Sequence, residues 1–173
     1  MNNSAPYNDQ RATKVAQSGV RDRPSVFPWP PVLLLANVAA AVGLGWFQPL
    51  GWPGVNDFAA RTVGLSIGGL GIALMMWSVW TLRAAQTTVL PHQGATNLVT
   101  SGPFRRFRNP IYLADTMILL GVAEVTKNIW FVAAAAAFVV LVTWLAILPE
   151  ERHLGARFGE DYRAYKARSR RWL

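Results

Sequence analysis

Two short polar stretches carry the side chains of this sequence that can do chemistry. The first runs from Arg105 to Tyr112 and reads Arg-Arg-Phe-Arg-Asn-Pro-Ile-Tyr, and the second is Glu150-Glu151-Arg152-His153. Carboxylates can hold a cation or accept a proton, while a helix start beside an arginine can hold an anion. The sequence therefore offers sites for both signs of charge, and ligand binding, acid–base chemistry and simple charge pairing are all open at this point.

The first stretch contains a helix-start signal at Asn109-Pro110, because Asn is favoured as the N-cap and Pro at the first helical position. A helix that begins there points free backbone N–H groups at the preceding loop, where they suit an anionic group. Gly102 would let the backbone approach a ligand closely. In the alternative interpretation, Asn109 only caps the helix and the neighbouring arginines face lipid phosphates.

The second stretch follows an apolar block, where carboxylates that face lipid would be costly. In one interpretation Glu150 and Glu151 are first-turn acids of a new helix that Pro149 begins, and they complement its dipole. In the other, one of them points into a polar cavity and holds a cation. His153 is predicted to be a surface residue, with a general base as the alternative.

Composition excludes several other chemistries. The chain has no cysteine, so disulfides, thiolate metal sites and a cysteine nucleophile are ruled out. His92 and His153 are far apart in the sequence, and we predict no metal site. Hydrophobic residues make up 52% of the chain and charged residues 15%, against roughly 25% charged in soluble domains. A membrane protein is therefore the predicted class.

Four apolar blocks position the polar stretches. They are residues 31–47, 62–82, 111–123 and 129–148. A bilayer core needs about 20 apolar residues per helix, so the third block, which contains Asp115, is short. Residues 124–128 join the third and fourth blocks into a helical hairpin. We predict an all-α membrane protein with about four transmembrane helices.

The basic residues predict how these helices are oriented. If the chain crosses four times, all of the 17 lysines and arginines except Arg61 and Lys127 fall on one side. The positive-inside rule then places both termini and the loop from Arg83 to Pro110 in the cytoplasm, at the cell (inner) membrane. This topology accounts for the net charge of +8 better than a nucleic-acid surface does, so no nucleic-acid partner is predicted. Residues 1–27 are predicted to be a disordered basic tail.

Two further patterns concern packing. Small residues recur every four positions at Ala60, Gly64 and Gly68, around the start of the second block, and we predict that they pack spans of one chain together rather than form a dimer interface. Apolar residues from Leu154 to Trp172 recur at helical spacing with basic residues between them. They predict an amphipathic helical tail, interrupted at Gly159, that lies on the cytoplasmic leaflet or over the loop.

These pieces occur together, in this order, in a known family. Thr87-Thr88-Val89-x-Pro91, Leu98-Val99-Thr100-Ser101-Gly102-Pro103-Phe104 and Arg108-Asn109-Pro110-Ile111-Tyr112 resemble the cofactor loop of the isoprenylcysteine carboxyl methyltransferase family. After the hairpin, Glu150-Glu151-Arg152-His153-Leu154, Phe158-Gly159-x-x-Tyr162-x-x-Tyr165 and Arg170-Arg171-Trp172-Leu173 are also similar to that family. Phospholipid N-methyltransferases share the overall pattern. The resemblance covers residues 87–173.

The resemblance implies one membrane methyltransferase domain over residues 28–173. In it, the loop and the tail fold over the hairpin and enclose S-adenosylmethionine at the cytoplasmic face. Carried over by position, the residues that line the cofactor pocket are Leu98, Val99, Gly102, Asn109, Tyr112, Glu150 and Glu151. Arg108 and Glu151 are the catalytic candidates. We expect Arg108 and the helix start to hold the cofactor carboxylate, Glu150 or Glu151 to pair with its ammonium, and Glu151 or His153 to act as base for an amine acceptor.

Two departures from the eukaryotic enzymes bear on the acceptor. Asn109 stands where those enzymes have a histidine, and residues 144–148 lack the arginine that grips their substrate carboxylate. The resemblance thus implies methyl transfer without specifying carboxyl methylation. The expected acceptor is a lipophilic small molecule or a membrane lipid that enters from the bilayer, with no obligate protein partner.

Two other functions stay open on the sequence alone. One is a nicotinamide-dependent reductase of sterol-like lipids with a similar fold. The other is a non-enzymatic four-span transporter or scaffold. A transporter is expected to place ionisable residues within its spans, and here Asp115 is the only one.

Overall fold

A computed structural model describes residues 29–55, 58–86 and 98–173. The predicted tail at 1–27 and the motif at 87–91 lie outside the described residues. Within them, no strand is formed and the helical prediction is confirmed. The elements are α1 (Trp29–Phe47), α2 (Phe58–Ala84), a 3-10 turn (Gly102–Arg105), α3 (Pro110–Thr126), α4 (Trp130–Val142), a π-helical segment (Thr143–Ile147) and α5 (Leu148–Arg168).

Three helical stretches of the described chain are long and apolar enough to cross a bilayer: α1, α2 and the continuous run Trp130–Arg168. The apolar part of that run ends at Leu148. Large apolar side chains such as Trp46, Phe58 and Trp80 are exposed on α1 and α2, and lipid is the environment that suits them. Helix α3 has 17 residues, about 25 Å in length, and is shorter than a hydrocarbon core of about 30 Å.

Helices α3 and α4 form the predicted hairpin. Lys127 ends α3 in the left-handed conformation with φ of 52°. The Asn128 side chain then accepts a hydrogen bond from the Trp130 backbone N–H at 3.0 Å. Its amide nitrogen donates to the Ala41 carbonyl at 3.0 Å. Because Ala41 belongs to α1, the hairpin turn also fixes α1 against α4.

Helices α2 and α3 meet along their small residues. A Cβ built at Gly121 would lie 2.6 Å from the Gly68 Cα, and a Cβ built at Gly71 would lie 2.9 Å from the Met117 Cβ. Gly64 faces the Glu124 side chain in the same way. The small-residue stripe therefore packs helices within the chain, as predicted.

Helix α4 continues into α5 without a break. Pro149 does not begin a separate helix, because Ile147 before it already has helical torsions (φ −64°, ψ −49°). Proline cannot supply an intrahelical N–H, and the wider π-helical turn of residues Thr143–Ile147 precedes it. Glu150 and Glu151 are thus carried directly on the extension of a membrane span. The predicted interruption at Gly159 is confirmed by its φ of 51° and ψ of −120°.

We expect Gly121→Ala to lower the free energy of unfolding by about 1–3 kcal/mol, because the added methyl must displace the α2 backbone. The matched control is Gly69→Ala, which adds a methyl on the open side of α2, where nothing lies within 4 Å. The measurement is unfolding in mixed micelles, followed by circular dichroism. Equal effects of the two substitutions would contradict the close α2–α3 contact.

Candidate functional site

The end of the chain lies on the loop that precedes α3. The Arg108 N–H donates to the Arg170 carbonyl at 2.7 Å, and the Arg170 N–H donates to the Arg106 carbonyl at 2.9 Å. The Asn109 side-chain amide donates to the Arg171 carbonyl at 3.1 Å. These bonds make a short parallel bridge between two segments that are about 60 residues apart.

One further bond fixes the end of α5 to the same loop, and another lies within the tail. The Tyr165 hydroxyl donates to the Phe104 carbonyl at 2.7 Å, and the Ser169 hydroxyl donates to the Tyr165 carbonyl at 2.6 Å. We call the two paired segments, residues 102–109 and 165–173, the loop–tail cap. Of the two predicted positions for the tail, the structure thus shows the one over the loop.

Glu151 is the ionic centre of the loop–tail cap. Arg171 donates to its two carboxylate oxygens at 3.0 and 2.7 Å, Arg108 Nε donates at 3.2 Å, and Lys166 Nζ lies 3.7 Å away. The Glu151 side chain is only 9% exposed. Burial alone would raise the pKa of the Glu151 carboxyl, but the Arg171 hydrogen bond and the charges of Arg171, Arg108 and Lys166 outweigh it and lower that pKa. Glu151 is therefore an anion at neutral pH.

Arg108 is engaged in the same cluster. Its Nη1 donates to the carbonyls of Lys166 at 3.1 Å and Ser169 at 2.5 Å, in addition to the Glu151 contact, and its side chain is 11% exposed. The catalytic roles of Arg108 and Glu151 stay predictions. The contacts that the structure shows for both are with each other and with the tail, and such contacts position the cap.

Glu150 has a different environment from its neighbour. Within the described residues its carboxylate forms no hydrogen bond and no ion pair. It lies close enough to the hydroxyls of Tyr112, Tyr162 and Tyr165 to interact with them electrostatically. Burial, and secondly the charge of Glu151, raise the pKa of the Glu150 carboxyl to about 7. A cationic ligand beside such a sheltered carboxylate would favour its ionised form.

The start of α3 is placed as predicted, with Asn109 as the N-cap and Pro110 as the first helical residue. The Asn109 side chain does not cap the helix, because it holds the tail instead. The N–H groups of Ile111 and Tyr112 therefore donate no hydrogen bond to the N-cap side chain, and first-turn N–H groups have no acceptor inside a helix. This helix start suits an anion.

Gly102 begins the 3-10 turn with φ of 56°, a conformation that favours glycine. A Cβ at this position would lie 2.7 Å from Thr81 Oγ1, so the close approach that the glycine permits is to α2. Its predicted contact with the cofactor, and those of the half-buried Leu98 and Val99, stay predictions. Tyr112, in contrast, is buried beside Glu150.

A cavity of about 330 Å³ opens between the end of α2 and this turn. Its lining is Trp77, Trp80, Thr81, Ala84, Ala85, Ser101 and Gly102. The sequence offered one signal for it, a pair of tryptophans three residues apart near the end of an apolar block. His153 also differs from expectation: it is 8% exposed, so the surface prediction was wrong. The prediction assumed a free amphipathic tail, whereas α5 at this point directly continues the apolar span.

The sequence pattern of the phospholipid methyltransferase family matches residues 59–161. This stretch is more than half of the chain and includes α2, the loop, the hairpin and both glutamates. The chain belongs to the phospholipid methyltransferase family. The resemblance seen in the sequence motifs is thereby confirmed over the loop, the hairpin and the two glutamates, while residues 165–173 of the loop–tail cap lie beyond the matched stretch.

Two curated proteins are similar to this family member. The nickel-cobalt-cadmium resistance protein NccN of Alcaligenes xylosoxydans xylosoxydans is 29% identical over 105 residues, which are 61% of this chain and 47% of that protein. An uncharacterized protein of Haemophilus influenzae is 33% identical over 63 residues, which are 36% of this chain and all of that protein. The match thus spans about half the length of the resistance protein. No solved structure matches the chain.

We expect Glu151→Gln to loosen the tail, because a neutral amide leaves the largely buried Arg108 and the partly exposed Arg171 without a counter-charge, at a cost of about 1–3 kcal/mol after solvent screening at Arg171. Limited trypsin digestion in detergent should then cleave the last residues faster. The control is Glu160→Gln, whose pair with Arg163 is exposed and should contribute little. Cleavage that is unchanged by Glu151→Gln would contradict the ionic role of Glu151.

The lowered pKa of Glu151 also predicts a pH dependence. The stabilisation from a depressed carboxyl pKa is complete above the ordinary value of 4.5 and is lost as the pH falls through the lower folded-state value. The difference in thermal midpoint between the unsubstituted protein and Glu151→Gln should therefore be constant from about pH 8 to about pH 5 and shrink below. A difference that grows on acidification would contradict this assignment.

Proposed function

We propose that this protein transfers a methyl group from S-adenosylmethionine to a lipophilic acceptor at the cytoplasmic face of the cell membrane. Membership of the phospholipid methyltransferase family supports methyl transfer. The observation that carries the cofactor assignment is the contrast between two adjacent glutamates. Glu151 is balanced by three cations, whereas Glu150, beside the same cap, has none in the described chain.

The charges of the site fit the proposed cofactor. S-adenosylmethionine carries an ammonium, a sulfonium and a carboxylate. In the proposal, Glu150 holds the ammonium, and the first-turn N–H groups of Ile111 and Tyr112 hold the carboxylate. A bound cation favours the ionised form of Glu150 and so offsets the effect of burial on its pKa.

The cofactor supplies an electrophilic methyl group on a positively charged sulfur. The chain supplies placement and exclusion of water, on which an in-line displacement of this kind mainly depends. Arg108 and Glu151 act in the proposal by holding the loop–tail cap over the reacting atoms. Their predicted catalytic contribution is thus a positioning one, exerted through the tail segment that ends in Leu173.

We place the entrance for the acceptor at the cavity beside Trp77 and Trp80. Both indoles are exposed near the end of α2, and tryptophan is favoured at the level of lipid headgroups. Thr81 and Ser101 give the cavity a polar wall on the side of the Gly102 turn. An acceptor chain in the bilayer would contact the indoles, with its reactive end directed toward the loop–tail cap.

The cytoplasmic orientation rests on charge. The cap carries Arg105, Arg106, Arg108, Arg168, Arg170 and Arg171, all on the side that also holds most of the remaining basic residues. The positive-inside rule favours this side as cytoplasmic, where S-adenosylmethionine is made. The opposite connections carry Arg61 and Lys127.

Calorimetry with the protein in detergent tests the cofactor assignment. We expect the unsubstituted protein to bind S-adenosylmethionine, and Glu150→Gln to weaken binding at least tenfold, which corresponds to about 1.4 kcal/mol. Glu160→Gln serves as the control, since it removes a charge from the exposed part of the same helix. Unchanged affinity in Glu150→Gln would contradict the role of that residue.

Absence of binding by the unsubstituted protein would contradict the proposed function itself. Binding of a nicotinamide dinucleotide in the same assay would instead support a lipid reductase. Transfer of a radiolabelled methyl group from S-adenosylmethionine into extracted membrane lipid is the expected companion result.

A further inference from the structure

The loop–tail cap carries a group of exposed arginines that the proposed cofactor site does not use. They are Arg105, Arg106, Arg168 and Arg170. Within the described residues, none of their guanidinium groups forms a hydrogen bond or an ion pair. In this they differ from Arg108 and Arg171, whose charges are balanced by Glu151. We call these four residues the arginine face of the cap.

The backbone of the cap holds the arginine face together. The Arg170 N–H donates to the Arg106 carbonyl at 2.9 Å, so two exposed guanidinium groups branch from neighbouring backbone positions. Arg105 directly precedes one of them in the sequence, and Arg168 stands shortly before the other. Like charges that branch from adjacent positions repel each other, and an anion between them would remove the repulsion.

The acids of the described tail do not balance this charge. Glu151 is sheltered and is already committed to cations inside the cap. Glu160 and Asp161 lie about two helical turns, roughly 10 Å, before Arg168 along α5. Glu160 also has a partner of its own in Arg163. Exposed charges at such separations are largely screened at physiological salt, so the arginine face stays strongly positive.

Contacts with α2 place one end of the arginine face at the level of the lipid headgroups. A Cβ built at Gly102 would lie 2.7 Å from Thr81 Oγ1 and 3.4 Å from Trp77 Nε1, so the 3-10 turn touches the end of α2. The indoles of Trp77 and Trp80 are exposed there, and tryptophan is favoured at the membrane–water interface. Arg105 ends the same turn, which is only about 6 Å long. Its side chain is therefore within reach of lipid phosphates.

The end of the chain has the mixed character of a segment that contacts a membrane surface. Trp172 packs against the hydrophobic core of the helices, while Leu173 is largely exposed. Both follow Arg170 closely in the sequence. At the boundary between headgroups and acyl chains, apolar side chains enter the lipid and basic ones reach the phosphates. A soluble polyanion would contact the arginines but leave Leu173 and Trp80 in water, so a lipid surface fits better.

We propose that the arginine face binds the headgroups of anionic phospholipids in the leaflet on its own side of the membrane, and that these lipids help to hold the tail on the loop. The ligand carries a net negative charge, because a zwitterionic headgroup would leave the arginine charges unbalanced. This binding surface is separate from Glu150 and from the start of α3. It therefore does not depend on the proposed methyl transfer.

Native mass spectrometry of the protein in a neutral detergent tests the lipid preference. The protein is titrated with phosphatidylglycerol or with phosphatidylcholine of the same acyl chains. We expect phosphatidylglycerol to bind at least fivefold more tightly, since one basic residue near an anionic surface contributes about a factor of five. Equal affinity for the two lipids would overturn the proposal.

A pair of double variants tests the residues. Arg106→Gln together with Arg170→Gln should remove most of the preference for phosphatidylglycerol, while the backbone bonds between loop and tail are kept. The matched control is Arg157→Gln together with Arg163→Gln, which removes the same charge from exposed positions of α5 outside the cap. We expect the control to keep the preference. An equal loss in the two double variants would show attraction by net charge alone and would contradict the assignment.

Lipid nanodiscs, in which both membrane faces are open to solution, test the effect on the tail. Discs of phosphatidylcholine are compared with discs in which about a third of the lipid is phosphatidylglycerol. We expect trypsin to cleave within residues 165–173 at least fivefold more slowly in the anionic discs, and the Arg106→Gln, Arg170→Gln protein to lose this protection. Equal cleavage in both kinds of disc would overturn the proposal.

A short DNA duplex added to the neutral discs separates a membrane partner from a soluble polyanion. We expect it to protect the tail far less than phosphatidylglycerol does, and equal protection would contradict a lipid site. If the Arg106→Gln, Arg170→Gln protein does not fold, the comparison of lipids with the unsubstituted protein still decides the proposal.

Discussion

The carboxylate of Glu151 ties three parts of the chain together. It lies on the helix that continues the last membrane span, and it binds Arg108 from the loop before α3 and Arg171 from the end of the chain. Without this charge, the largely buried Arg108 and the partly exposed Arg171 would lose their counter-charge, and only neutral hydrogen bonds would hold the tail to the loop. The position of the loop–tail cap, and hence the shape of the proposed cofactor site beside it, depends on this ion cluster.

The cluster also explains why Glu151 has cationic partners whereas Glu150 and Asp115 have none in the described chain. Because Arg108 and Arg171 are committed to Glu151, Glu150 and Asp115 remain as sheltered carboxylates without cations in the described chain. The arrangement thus separates the carboxylate that builds the cap from two that have no cation among the described residues.

The sequence predicted what depends on local pattern. The long apolar blocks, the helix start at Asn109-Pro110, the break at Gly159 and the small-residue contact of α2 with α3 all follow from periodicity or from the properties of one residue type. The different surroundings of Glu150 and Glu151 do not follow from the local pattern. The two have the same chemistry and differ by about 100° around a helix, so their roles depend on which partners reach each side. Arg171 reaches Glu151 only after the chain bends at Gly159.

The most direct test of the account is an experimental structure of the protein with S-adenosylhomocysteine, which shares the ammonium and carboxylate of the proposed cofactor. We expect the ligand ammonium within about 3.2 Å of the Glu150 carboxylate, the range of a charge-assisted hydrogen bond, with Glu151 still bound to Arg108 and Arg171. A ligand ammonium bound to Glu151, with Arg171 displaced and Glu150 unoccupied, would contradict it.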